Sequence, residues 1–174
     1  MSTMAGSADA SLYVGCKDIV LVPSVTDVSG LHRISRRIIG QAAAAICGMI
    51  QAPSLEAHDD RPIITASMFG NTTDCVNLCR EKPDTAGYEV LVFHAVGSGG
   101  RTLETLVADG FADGCLDITT TEWADQLCGG IFAAGEDRLS APGGKGVPHL
   151  IAPGCIDMVN FGPMDTVPKK YRDA

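Results

Sequence analysis

Five apolar runs, separated by segments with a helical pattern, constrain the fold of this 174-residue chain more than any other feature. The runs are Lys17 to Val25, Arg61 to Phe69, Tyr88 to Val96, Gly114 to Thr120 and Val147 to Gly154. Several are almost continuously apolar instead of alternating, which is typical of parallel strands covered on both faces. Hydrophobic residues make up 45% of the chain and charged residues 20%, so the pattern belongs to a globular protein and not to a disordered one.

The connecting segments predict helices. In chain order these cover Leu31 to Ile50, the residues after Asn71-Thr72-Thr73, about Gly100 to Asp109, and the residues after Thr119 to Glu122. Ser29 is the predicted N-cap of the first helix. In the fifth connection, Asp137 to Gly146, Pro142 and two glycines are expected to interrupt any helix.

This alternation predicts an α/β fold with three layers and a mainly parallel, five-stranded sheet, flavodoxin-like or Rossmann-like. The preferred strand order is 2-1-3-4-5, with 3-2-1-4-5 as the alternative. A single domain is expected over residues 17–162, after a linker-like segment at 1–16 and before a tail at 163–174.

Right-handed crossovers place every loop that follows a strand on the same edge of such a sheet, where these folds bind ligands. The predicted ligand-binding residues at that edge are Ser24, Asp27, Gly97, Ser98, Gly99, Gly100, Arg101, Thr102, Thr119, Thr120, Thr121, Glu122, Asp157 and Asn160.

The loop from Gly97 to Thr102 is the most suggestive of these. Its glycines expose backbone N–H groups at a helix N-terminus, and Arg101 can pair with an anion, so phosphate is the expected guest. Neither a dinucleotide fingerprint nor a Walker A loop fits the spacing. The alternative is a tight turn that requires a positive φ.

Other candidates have simpler explanations. The hydroxyls and carboxylate of Thr119 to Glu122 could serve a phosphate-bound metal, but Thr-x-x-Glu also matches a capping box, which is the favoured interpretation. His94 ends an apolar strand and receives no catalytic role. Cys75 and Cys79 share a helix face but lack a second pair of ligands, so no metal site is predicted.

Charge and cysteine content limit the partners. A net charge of −8 disfavours nucleic-acid binding, and neither a signal peptide nor a membrane-spanning run is apparent. Seven cysteines in apolar surroundings are typical of reduced thiols, so a cytoplasmic location is expected.

The motifs together resemble a known family. The stretches that carry the resemblance are VFHAVGSGGRTLE, LDITTTE and DMVNFGP, within matches that run along essentially the whole chain. They are similar to the Tm-like ATP-binding family, which is related to a plant protein that confers resistance to tobamoviruses. The chain resembles the second of that family's two α/β subdomains only, as in a truncated member, and its opening residues resemble the linker between them.

This resemblance implies nucleotide binding, with ATP and Mg²⁺ as the expected ligand, and a partner subdomain that could be encoded separately. The leading hypothesis is therefore a domain that binds a phosphate-bearing, ATP-like ligand. A non-catalytic interaction or oligomerisation module is the alternative, and a homo-oligomer is expected because an exposed apolar patch would need cover. A third hypothesis is a metal-assisted hydrolase or transferase that uses Glu122 or Asp157. No catalytic residue is assigned.

Overall fold

The computed structural model describes residues 1–6, 9–53 and 60–172, with residues 11 and 12 described by their backbone alone. The chain divides into two compact units, Met1–Asp59 and Asp60–Ala174. The domain predicted over 17–162 spans the boundary between these units.

The first unit is helical where it is regular. It contains helices α1 (Ser11–Val14) and α2 (Arg33–Gln51) and a short 3₁₀ turn at Thr3–Gly6. The strand predicted at Lys17 to Val25 is wrong, because that run contributes only one isolated parallel bridge, between Ser2 and Pro23. An apolar, extended segment becomes a strand only when neighbouring backbone groups complete its ladder of hydrogen bonds.

Helix α2 begins two residues later than predicted and has a different cap. His32, not Ser29, is the N-cap: its ring nitrogen Nδ1 accepts from the Ser35 N–H, and the Ser35 hydroxyl accepts from the His32 N–H. The two groups satisfy each other's backbone donors, as in a capping box.

No helix among the described residues is both long and apolar enough to cross a membrane.

The second unit alternates strands and helices as predicted. Its elements are β1 (Ile63–Met68), α3 (Thr73–Thr85), β2 (Glu89–His94), α4 (Ser98–Ala108), β3 (Gly114–Thr119), α5 (Thr121–Cys128), α6 (Ala141–Lys145) and β4 (His149–Gly154). The short helix α6 forms across Pro142, Gly143 and Gly144, because proline is tolerated in the first turn of a helix.

The described strands form one sheet with the order β2-β1-β3-β4, and every neighbouring pair is parallel. The α/β class and the parallel sheet are therefore confirmed. The predicted count of five strands is wrong, because the Lys17 to Val25 run forms no strand. The preferred order 2-1-3-4-5 is wrong, whereas the alternative order 3-2-1-4-5 is correct for its other four strands, which lie in the order 3-2-4-5. Strand order reverses between β1 and β3, which makes that point the topological switch of the sheet.

Helices cover both faces of the sheet, because the crossover from β2 to β3 runs in the opposite direction to the one from β1 to β2. On one face, Val76 of α3 packs with Ala66, Val90 and Ile118 of the strands. On the other face, Leu103 and Val107 of α4 pack with Ala112 and Cys115, joined by Ala141 of α6 and Val147. The loops that follow the strands meet at one edge, called here the carboxyl edge.

Candidate functional site

The glycine loop after β2 makes a tight connection into α4. Gly97 has φ 80° and ψ −61°, a conformation that favours glycine, and a Cβ atom there would lie 2.9 Å from the Ala133 carbonyl oxygen. The tight-turn interpretation of this loop is therefore correct, at least for Gly97.

The same loop also binds an anion, and that anion is a side chain of this protein. The Gly97 and Gly100 N–H groups donate to Oε1 of Glu122, at 2.7 and 3.0 Å. A Cβ atom at Gly100 would collide with this carboxylate, so glycine is required for the close approach. Glu122 thus occupies the position at the N-terminus of α4 that was predicted to receive phosphate.

Glu122 is not a helix cap, contrary to the favoured interpretation. The N-cap residue of α5 is Thr120, and it makes no side-chain capping bond. The other Glu122 oxygen, Oε2, accepts from Nε of Arg138 at 2.7 Å. With both oxygens engaged and the residue buried, Glu122 is poorly placed to act as a metal ligand or a base.

The Arg138 side chain forms ion pairs with three carboxylates in the interior of the second unit. It is bound by Asp117 from β3, Glu122 from α5 and Glu104 from α4, and its side chain is only 1% exposed. The Nη1 atom donates at 3.0 Å to both Glu104 Oε1 and Asp117 Oδ2, while Nη2 donates to Asp117 Oδ1. We call Arg138, Asp117, Glu122 and Glu104 the arginine cluster.

The contact between Asp117 and Arg138 fixes the ionisation of these two residues. Burial alone would raise the pKa of the Asp117 carboxyl, but the hydrogen bonds and charge of Arg138 outweigh burial and hold that pKa below its ordinary value. Burial would likewise lower the pKa of the Arg138 guanidinium, and its bonds to Asp117 and Glu122 raise it instead. Both groups are therefore charged at neutral pH.

Backbone groups offset the excess of negative charge. Glu104 accepts from the N–H groups of Leu139 and Ala141, at 2.7 and 2.8 Å, in addition to its bond from Arg138. Within residues 1–6, 9–53 and 60–172, every buried side-chain nitrogen or oxygen has a hydrogen-bond partner. The arginine cluster is thus a satisfied network and not a set of stranded charges.

Asp117 of the arginine cluster also lies close to two other side chains of types that bind metals, those of Cys115 and His149. Asp117 Oδ2 is 2.8 Å from Nε2 of His149 on β4 and 3.4 Å from Sγ of Cys115. One ligand atom from each of these residues lies within 4.8 Å of the other two. Burial, followed by the Asp117 charge, raises the pKa of the Cys115 thiol to about 12.

Hydroxyl groups meet at the switch point of the sheet. The Thr72 hydroxyl, just before α3, lies 2.6 Å from the Thr119 hydroxyl at the end of β3. Ser67 joins them, since its hydroxyl donates to the Thr119 carbonyl at 2.9 Å and accepts from the Thr119 N–H at 3.0 Å. Thr120 instead bonds to the backbone at the end of β4, through its N–H to Gly154 and its hydroxyl to Ala152.

Asn160 is held at this edge by α5. Its backbone and side-chain N–H groups donate to Asp125 Oδ1, at 2.9 and 3.2 Å, and its side chain also donates to the Thr121 hydroxyl. Asp125 is completely buried and accepts a further bond from the Phe132 N–H.

The remaining predicted residues have separate roles. Arg101 is exposed and donates to the Ala133 carbonyl at 3.0 Å, while the Thr102 hydroxyl bonds within its own helix to Ser98. Asp157 is exposed. Ser24 and Asp27 belong to the first unit, where the Ser24 hydroxyl donates to the Thr26 carbonyl and Asp27 accepts from the Val28 N–H. Whether any of these residues binds a ligand stays a prediction.

Sequence reasoning missed the arginine cluster. Asp117 carried a usable signal, because a carboxylate in the middle of a buried strand demands a partner. Arg138 carried none, since it lies in a segment rich in glycine and proline with no periodic pattern.

Comparisons with known proteins give one consistent result. The family described as uncharacterised protein family UPF0261 matches twice, with its C-terminal domain over residues 61–174 and its N-terminal domain over residues 1–55. The expectation that the chain resembles the second subdomain only is therefore wrong, because residues 1–55 match the N-terminal domain.

Individual relatives match almost the whole of this chain. A UPF0261 protein of Clostridium tetani is 48% identical over 172 residues, which are 99% of this chain and 42% of the relative. The tomato (Solanum lycopersicum) ToMV resistance protein Tm-1(GCR237) is 43% identical, again over 99% of this chain but over 23% of its own length. A UPF0261 protein of Mesorhizobium japonicum is 45% identical over 99% of this chain and 43% of its own length. The chain thus spans less than half the length of these relatives.

Proposed function

This chain belongs to the uncharacterised UPF0261 family, and from its geometry we propose that the carboxyl edge of its sheet binds a phosphate-bearing, ATP-like small molecule. The observation that carries the proposal is the start of α3 at the switch point. Its N-cap residue, Thr72, makes no side-chain capping bond, whereas the corresponding position of α4 is filled by Glu122. The Thr73 N–H of this first turn donates to the Gly70 carbonyl of a preceding 3₁₀ turn, so the attraction for an anion comes from the dipole of α3.

Aromatic side chains beside this position support a nucleotide in particular. Phe69 follows β1. The centroid of its ring lies 5.4 Å from the ring centroid of His94, an exposed residue, and 6.1 Å from that of Phe132. A base could stack on these rings while its phosphates face the start of α3. Arg101, exposed near the start of α4, is the expected cation for the distal phosphates.

The test is a calorimetric titration of the intact chain with ATP, with and without Mg²⁺. Asp74 lies in the first turn of α3 and is exposed, so Asp74→Asn removes a repulsive charge and should tighten ATP binding severalfold. Glu81→Gln makes the same charge change farther along α3 and should leave binding unchanged. Absence of binding by the intact chain at millimolar ATP would overturn the proposal. Equal affinity of Arg101→Ala would remove only the role of Arg101.

A second candidate, a non-catalytic oligomerisation module, is favoured by the apolar face of α2. Ile46, Met49 and Ile50 are 58%, 61% and 78% exposed, and Ile46 and Met49 line a groove with Ile19 and Val20 of the same unit. Exposed apolar patches of this kind tend to be covered by another protein surface. We expect the chain to self-associate through this face.

Sedimentation at micromolar concentration tests the second candidate. Ile46→Glu should convert an oligomer to a monomer, and Arg37→Glu, on the polar side of the same helix, should not. A monomeric wild-type chain would contradict homo-oligomerisation without bearing on ATP binding.

A further inference from the structure

We propose that Cys115, Asp117 and His149 form a binding site for one divalent cation of borderline softness, such as Zn²⁺, at the amino end of strands β3 and β4. The site lies at the opposite end of the strands from the carboxyl edge. It is therefore distinct from the start of α3, where the ATP-like ligand is proposed to bind.

The sheet register places the three side chains together. Cys115 and Asp117 are two residues apart on β3 and so point to the same face, and His149 on β4 is the direct register partner of Cys115. Tetrahedral zinc bound to sulfur, nitrogen and oxygen separates its ligand atoms by roughly 3.3–3.6 Å. The distance from Cys115 Sγ to Asp117 Oδ2 is 3.4 Å, that from Asp117 Oδ2 to His149 Nε2 is 2.8 Å, and Cys115 and His149 offer ligand atoms within 4.8 Å of each other. The Asp117–His149 distance must therefore open slightly when a metal binds.

The surrounding charge favours a cation. Among the described residues, the arginine cluster contains one positively charged side chain, that of Arg138. It contains three carboxylates, those of Asp117, Glu122 and Glu104. The backbone N–H groups bound to Glu104 offset part of this negative charge, and the remainder favours a bound divalent cation. Such a cation would displace the thiol proton of Cys115 to solvent as the metal–sulfur bond forms.

Arg138 need not lose its partners when Asp117 turns one oxygen to a metal. Nη2 of Arg138 bonds to Asp117 Oδ1, which stays in place, and Nη1 keeps Glu104 Oε1 at 3.0 Å. Only the bond from Nη1 to Asp117 Oδ2 is exchanged for the metal. Arg138 then orients the ligand carboxylate, as groups outside the ligand set commonly do in metal sites.

The site can be reached from solvent through His149, whose side chain is 12% exposed. A water molecule on this side could supply a fourth ligand. The types of ligand favour zinc or cobalt over magnesium or calcium, which prefer oxygen.

Cobalt(II) titration of the metal-free, reduced, intact chain tests the site, because a bound thiolate gives Co²⁺ a charge-transfer absorption band. We expect one Co²⁺ per chain with this band and with tetrahedral ligand-field absorption, both displaced by Zn²⁺. A wild-type spectrum without a thiolate band would overturn the proposal, and would assign the His149–Asp117 contact to structure alone.

Variants identify the ligands. Cys115→Ser should abolish the charge-transfer band, and His149→Gln should weaken Zn²⁺ binding by at least the roughly tenfold loss that changes around a metal site cause. The control is the double variant Cys75→Ser/Cys79→Ser on helix α3, which should leave the spectrum unchanged. Loss of the band in this control, with its retention in Cys115→Ser, would place the cation elsewhere and contradict the proposal. Circular dichroism of each variant shows whether it is folded.

Discussion

Arg138 is the residue on which the interior of the second unit depends most. The Arg138 side chain is only 1% exposed. Its guanidinium donates hydrogen bonds through Nε, Nη1 and Nη2 to carboxylates on α4, β3 and α5. Replacing a buried ion pair as a whole can be harmless, but removing one partner leaves the others buried and unpaired.

Arg138→Met should therefore lower the free energy of unfolding by about 3–5 kcal/mol, since it removes the cation and leaves the carboxylates. Urea denaturation followed by circular dichroism measures this loss. Arg101→Met, at an exposed arginine on α4, is the control and should change stability by no more than about 0.5 kcal/mol. Equal effects of the two substitutions would show that the cluster contributes nothing specific.

Asp117 should make stability depend on acid pH. Its pKa in the folded chain lies below its ordinary value, so the ionised carboxylate stabilises the fold above the unfolded-state pKa of about 3.9. That contribution is lost as the pH falls from there through the folded-state pKa.

The measurement is the difference in urea midpoint between the wild type and Asp117→Asn, taken from about neutral pH down to about pH 3. The difference should be largest at neutral pH and should narrow as the medium becomes acidic. A constant difference across this range would show that Asp117 does not act through its charge.

At the scale of elements, the start of α4 is built around a close approach. The helix begins where the Gly100 backbone touches the Glu122 carboxylate, so a methyl group at Gly100 must push Glu122 away from its N–H donors and from Arg138. The position thus links the geometry of the loop to the arginine cluster.

Gly100→Ala should lower the free energy of unfolding by about 1–3 kcal/mol, because the added methyl group overpacks this site. Gly143→Ala in α6 is a matched control, since a Cβ atom there meets nothing within 4 Å. It should be neutral or slightly stabilising. Thermal denaturation distinguishes the two, and a Gly100→Ala variant as stable as Gly143→Ala would contradict the described contact.

Four strands of the sheet were predictable from the sequence, but the number of strands was not. Arg61 to Phe69 and Gly114 to Thr120 contain β1 and β3, because a buried parallel strand must be apolar along its length. Lys17 to Val25 has the same pattern but forms no strand. Periodicity reports burial and extension, whereas strand formation requires a partner that is distant in sequence.

The candidate site was predictable only in part, for a similar reason. Gly97 and Gly100 could be identified because their conformation and crowding restrict them to glycine. Glu122 was also identified, but its contacts with the glycine loop and with Arg138 span 25 and 16 residues of chain. Local patterns such as a capping box carry no information about such contacts.

At the scale of the whole molecule, the two units differ in how they are stabilised. Both apolar cores of the described sheet are built from residues between Ile64 and Val147, within the second unit. The first unit, by contrast, exposes large apolar side chains along α2, including Ile46 and Ile50.

A fragment of residues 60–174 should consequently fold by itself. We expect it to unfold in one cooperative transition in urea, with the same midpoint by circular dichroism and by fluorescence of Trp123. Trp123 is a suitable probe because its indole N–H donates to the Arg138 carbonyl at 3.1 Å, close to the cluster. A gradual transition without a shared midpoint would show that the fragment needs residues 1–59.

The carboxylate of Glu122 in the glycine loop has a consequence for competition between anions. Because it is tethered to the same chain, its effective concentration at Gly97 and Gly100 is set by geometry and does not fall on dilution. A free anion must displace the Glu122 carboxylate, which cannot diffuse away and is also bound by Arg138. Removing the Glu122 carboxylate by substitution, and not raising the phosphate concentration, is therefore the way to let an external anion bind to the loop.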